Sequence, residues 1–222
     1  MIAHKPDYLR VTEVIDFNHP AIAAFVRERT AGVQSPTEQA IKLYYAVRDE
    51  IRYNPYTIDL SVDGLRASAT LKSGRGWCVP KAILLAACCR ALEIPAKLGY
   101  ADVRNHLSTE RMRAFMKTDV FIWHGYVGIY LADKWVKATP AFNVELCRRF
   151  QLKPLEFDGR HDSIYHPFDL LGNKHMEYIR DRGYYADVPI EEIVRDFTQY
   201  YPDSLPSEKF DFDRDVDQEM LR

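Results

Sequence analysis

The chain has 222 residues, 47% apolar and 28% charged, with 30 Lys and Arg set against 32 Asp and Glu for a net charge of −2. That balance is ordinary for a globular protein with a substantial core. It argues against the basic surface of a nucleic-acid binder, and no apolar run reaches the length of a membrane span. The opening Met1-Ile2-Ala3-His4-Lys5-Pro6-Asp7 lacks the apolar centre of a signal peptide. Cys78, Cys88, Cys89 and Cys147 form no CxxC pair. They read as free thiols of a reducing compartment, so the expected location is cytoplasmic.

Taken in order, Tyr8 to Ile15 alternates as a strand would. His19-Pro20 starts a short amphipathic helix over 21–29 that Gly32 ends. Ser35-Pro36-Thr37-Glu38 carries an N-cap, a proline at the first helical position and a capping-box glutamate, opening a second helix. Its apolar positions Ala40, Ile41, Tyr44, Val47 and Ile51 keep helical spacing, and Asn54-Pro55 breaks it. Residues 56–73 are turn-rich and read as a surface segment with a short helix near 65–71. Ala82 to Leu92, free of Gly and Pro, predicts a buried helix. A strand follows over 96–103, and the charged stretch 108–117 reads as a helical, mobile insertion. Val120 to Leu131 is the best strand in the chain, paired with 135–139 across the turn Ala132-Asp133. Beyond Asn143 come a short helix (144–150), a loop-like stretch (154–173), an extended piece at 183–187 and a helix over 190–201. The tail from Asp203 onward, with Asp211, Asp213, Asp215 and Asp217, reads as a solvated terminus; it lacks the glycine of a calcium loop.

The chemistry concentrates at Gly74-Arg75-Gly76-Trp77-Cys78-Val79-Pro80-Lys81. Two glycines allow a sharp turn and Pro80 suits a first helical turn, so Cys78 sits at a helix start. Unpaired N–H groups and the helix dipole there favour a thiolate, and the same N–H groups can hold an oxyanion. A cysteine nucleophile needs a base. His4, His19, His106, His161, His166 and His175 fall near a terminus or in loops, where polar histidines need no special explanation. His124 lies instead within the apolar strand. Zinc held by Cys78 and His124 lacks any ligand pair at metal-site spacing. Cys88 and Cys89 read as core, and Trp77 and Tyr53 as cleft walls or oxyanion donors.

Gly76-x-Cys78, the helix end Cys89-Arg90-Ala91-Leu92-Glu93-Ile94-Pro95-Ala96-Lys97, and then His124 with Trp135 resemble the transglutaminase-like superfamily over roughly Ile51 to Asn143. The resemblance implies an α+β, papain-like fold, with a nucleophile-bearing helix packed on an antiparallel sheet. It implies a thiol enzyme acting on amide bonds, with no cofactor. Trp135-Val136-Lys137-Ala138-Thr139-Pro140 follows the family's W-V-x-x-D-P with Thr139 in the aspartate's place. Hairpin register puts Leu131 opposite Lys134 and Tyr126 opposite Thr139, so Thr139 lies diagonally beside His124. Its hydroxyl can orient an imidazole without stabilising its charge. Asn143 and Asp158 are alternatives for that contact.

The expectation is a single domain over 1–222, with a 51–143 core, an N-terminal helical part (1–50) and a C-terminal extension (144–222). Its function would be that of a cysteine hydrolase or acyltransferase using Cys78, His124 and Thr139, without cofactor or metal. Its substrate would be a peptide or protein carrying an amide, with no nucleic-acid or membrane partner. The alternative is a catalytically silent peptide-binding module on the same fold.

Overall fold

A computed structural model describes residues 5–105, 108–165, 168–201 and 210–220. The first half is helical: α1 (Pro20–Arg29), α2 (Pro36–Glu50), the two-residue strand β1 (Arg52–Tyr53), α3 (Val62–Leu65), α4 (Ala67–Ser73), β2 (Arg75–Gly76) and α5 (Cys78–Arg90). Then follow β3 (Ala96–Asn105), α6 (Glu110–Met116), β4 (Val120–Leu131), β5 (Lys134–Ala138), α7 (Val144–Arg149), β6 (Met176–Tyr185), α8 (Ile190–Tyr200) and α9 (Phe212–Met220). The larger sheet runs β5-β4-β3-β6, antiparallel throughout. This is the α+β arrangement expected, a buried helix on an antiparallel sheet.

Every residue of α5 is buried, including two cations. Burying a charge is costly unless every donor is used, and both cations are placed on carbonyls. Lys81 donates to the Arg48 and Ile51 carbonyls at the end of α2, where the helix dipole also favours a cation. Arg90 donates to the carbonyls of Ala96, Arg10 and Ala186. These contacts bind the central helix to the segments around it. Ser35 caps α2 by accepting the Glu38 N–H, with Pro36 at the first helical position. The β4–β5 turn has Ala132 at φ 45° and Asp133 at φ 63°, the paired left-handed residues of a tight hairpin. Its register is the expected one, Leu131 opposite Lys134.

Several expectations fail. Residues 8–15 form no strand: Lys5–Leu9 is a 3-10 turn, Thr12 Oγ1 accepts the Ile15 N–H, and Arg90 takes the Arg10 carbonyl. The 56–73 segment is not simply surface, since Tyr56, Leu65, Ala67 and Thr70 are buried. The 108–117 stretch is not a loose insertion. Thr109 caps α6, and Met112 and Met116, one turn apart, are buried. The extended piece at 183–187 belongs to a strand that begins at Met176. The acidic tail carries α9, whose Phe212 and Val216 are buried one turn apart. Its carboxylates find cations and a phenol: Asp213 pairs with Arg52 and Arg149, and Asp215 with Arg111 and the Tyr56 hydroxyl. Two apolar anchors and these pairings hold an acidic segment that composition alone reads as solvated. Residues 203–209 lie outside the described residues.

Candidate active site

Gly74, at φ 65°, closes α4 in the left-handed conformation that glycine adopts without strain. The chain then pairs in parallel with β1, Tyr53 beside Gly76, and turns into α5 at Trp77. Cys78 is therefore the first residue of α5. It faces β4 at Gly125, where a side chain has no room: a Cβ there would stand 3.0 Å from Val79 Cα and 3.4 Å from the Cys78 carbonyl oxygen. Helix start and strand meet backbone to backbone.

His124 precedes that glycine. Just before it β4 carries a bulge, because Ala101 pairs with His124 but Val103 pairs with Phe121. Ile122 and Trp123 thus oppose the single residue Asp102, and Trp123 sits at φ 59°. A bulky residue in that region costs about 1–3 kcal/mol, so something must hold it. Asp102 accepts the Trp123 backbone N–H at 3.1 Å, Asp196 accepts its indole N–H at 2.9 Å, and Arg182 bridges both carboxylates. The bulge resets the alternation of side chains at His124. No residue-by-residue pattern in the sequence announces it.

Cys78 and His124 line one cavity with Tyr53, Trp77, Met116 and Phe197. Among the described residues no hydrogen bond joins the two side chains. Burial pushes the Cys78 thiol up to about 11, although the N–H groups of Gly125, Val79 and Cys78 itself pull the other way. Burial, with a smaller contribution from His175, brings His124 down to about 4. Desolvation thus opposes the thiolate that the helix start favours, and it opposes the imidazolium as well. Cys88, Cys89 and Cys147 are raised by burial as well and are at most 1% exposed, against 7% for Cys78.

His124 Nε2 is buried without a hydrogen-bond partner, and so is Thr139 Oγ1. Thr139 has left the ladder: its N–H donates to the Ser163 carbonyl and its own carbonyl accepts from Tyr44. The Tyr178 ring lies edge-on to His124 at 6.5 Å, and its hydroxyl approaches Thr139 without a formed hydrogen bond at Oγ1. Asn143 Oδ1 accepts the Tyr53 N–H at 3.2 Å, so it fixes the β1 wall. Asp158 does not reach back to the site. It is exposed and bonded to His161 at 2.7 Å. His175, read as an unremarkable loop histidine, is buried against Tyr165, whose ring also faces His124. Its place follows from β6 starting at Met176, a strand that polar text conceals. His4, His106 and His166 lie outside the described residues. Among the described residues no three His, Cys, Asp or Glu side chains group closely enough to hold a metal ion. Nor is any helix among them long and apolar enough to cross a membrane.

A cysteine opening a buried helix and a histidine on the adjoining antiparallel strand define a papain-like arrangement. The model of the transglutaminase-like superfamily matches residues 23–140, more than half of the chain, and the protein belongs to that superfamily. Among solved structures, a candidate cysteine protease from Cytophaga hutchinsonii is similar at 14% identity and TM-score 0.48, over 63% of this chain and 43% of that one. A candidate protease from Parabacteroides distasonis is similar at 14% identity and TM-score 0.38, over 57% of this chain and 26% of its own. The chain thus spans less than half the length of either. No curated protein matches it.

Proposed function

We propose that the chain is a cysteine hydrolase or acyltransferase acting on amide or peptide carbonyls. The observation that carries this reading is the shared cavity of Cys78, at a helix start, and His124, on the strand beside it. His124, neutral at physiological pH, takes the thiol proton as Sγ attacks the carbonyl carbon and the C–S bond forms. The carbonyl electron pair moves to oxygen, where the Cys78 and Val79 N–H groups at the helix start supply donors. Tyr53 lines the same cavity and is a further donor; burial and the neighbouring thiol keep its phenol protonated. The tetrahedral species then expels the amine, which takes the proton from His124 as the C–N bond breaks. Water or a second amine releases the thioester, with His124 again accepting a proton. In this reading Tyr178, whose ring lies edge-on to His124, helps to orient the imidazole, with Thr139 behind it.

Burial favours a neutral thiol and a neutral imidazole, so proton transfer accompanies attack in this reading. The same neutrality favours a second reading, a silent binding module. Turnover of activated esters and peptide amides by wild type, Cys78→Ala and His124→Gln decides between them. Cys78-dependent turnover with an acyl-enzyme mass is expected. Equal rates for wild type and Cys78→Ala on every substrate would leave only the module.

A further inference from the structure

The cavity at Cys78 is lined mainly by carbon. Ile58, Val103, Met112, Met116, Ile122 and Phe197 stand around about 40 Å³ of free space, room for roughly three waters. The polar side chains on its wall are those of Tyr53, Trp77, Cys78, Asn105, His124 and Tyr201. The Tyr201 hydroxyl accepts the Ile122 N–H and donates to the Val120 carbonyl, and Tyr53 faces the thiol. Against the carbon-lined part of the wall, water would lack the two to four partners that hold a buried water in place. A carboxamide or carboxylate pressed against those carbon walls would lose hydration that they do not replace, whereas an aliphatic group gains by leaving water. Two of the walls are methionines on one short helix, and their unbranched side chains adjust to differently shaped apolar groups.

We infer that the substrate presents a short branched aliphatic group beside the carbonyl attacked by Cys78, and that the site selects apolar acyl donors over carboxamide-bearing or acidic ones. The inference rests on the reading of Cys78 as nucleophile. In an assay with p-nitrophenyl esters, the C–S bond forms as the C–O bond breaks and p-nitrophenolate leaves. Isovaleryl is expected to exceed acetyl in kcat/KM by about ten- to fiftyfold, at roughly fourfold for each added carbon that enters the cavity and with incomplete burial allowed for. Succinyl is expected to fall below acetyl. Met116→Trp, which fills the space, should collapse the isovaleryl-to-acetyl ratio, and the milder Met112→Gln should lower it. A flat series, or succinyl equal to isovaleryl, overturns the inference. Calorimetric binding of isovaleramide and succinamate to Cys78→Ser protein separates it from the nucleophile reading. Isovaleramide bound at least tenfold more tightly upholds an apolar site even if no ester turns over. Equal or reversed affinities, or no binding of either, overturn it.

Discussion

Gly125→Ala tests whether the contact of helix start and strand sets the geometry of the site. The added methyl would meet Val79 Cα at 3.0 Å, Val79 Cγ2 at 3.2 Å and the Cys78 carbonyl oxygen at 3.4 Å. The valine side chain can rotate, but the two backbone atoms cannot move unless α5 moves. Val79 Cα must give by a few tenths of an ångström, while the Cys78 oxygen is already at ordinary contact. That helix is buried along its whole length and bound at both ends through Lys81 and Arg90. The strain therefore has no soft outlet. Overpacking of this kind costs about 1–3 kcal/mol. Urea unfolding should show a loss in that range, with m unchanged. Because the displaced backbone is that of Val79, directly after Cys78, alkylation of Cys78 by iodoacetamide should change at least threefold while the other thiols stay inert. If stability stays within about 0.5 kcal/mol and the alkylation rate is unaltered, the close approach does not control the site.

The pH dependence of Cys78 alkylation should rise about tenfold per unit from pH 7 to 10, since burial places the thiol near 11. A plateau from pH 6 upward would indicate a thiolate–imidazolium pair instead. His124 titrates near 4 when folded and near 6.5 when unfolded, so between those values the unfolded chain binds the extra proton. Stability should fall by up to about 3 kcal/mol as pH drops from 6.5 to 4, and His124→Gln should flatten that limb in acid-titrated urea melts. Thr139→Val removes a buried hydroxyl with no partner, so unfolding should show it neutral or stabilising by about 1 kcal/mol. A loss above about 1 kcal/mol would show that the hydroxyl is satisfied. Thr139→Asp should instead raise the His124 pKa in a histidine NMR titration, as a carboxylate beside an imidazole favours its charged form.

The legible parts of this fold were those with local grammar. Ser35-Pro36, the uninterrupted apolar run after Cys78 and the Ala132-Asp133 turn each specify their element through nearby residues alone. Cys78 and His124 could be singled out because each is chemically unlike its apolar surroundings. What was hidden depends on distant partners. The strand from Met176 exists because β3 offers it an edge, and α9 because Arg52, Arg111 and Arg149 wait for its carboxylates. Cys78 shows the same contrast: a helix start is a local signal favouring the thiolate, while the burial that opposes it comes from the whole fold.

That acidic helix also sets the sign of charge on the face it covers. Phe212 stacks on Tyr53 and Tyr56 beside the cavity, and Asp213, Asp215 and Asp217 neutralise Arg52, Arg111 and Arg149. A recombinant chain ending before residue 210 would discard Asp211, Asp213, Asp215, Asp217 and Glu219, with Arg214 and Arg222 the only cations lost beside them. Arg52, Arg111 and Arg149 would lose these partners, and anionic compounds would be drawn to that face by long-range attraction that fades with added salt. Selectivity measured on such a shortened chain would describe the truncation rather than the site.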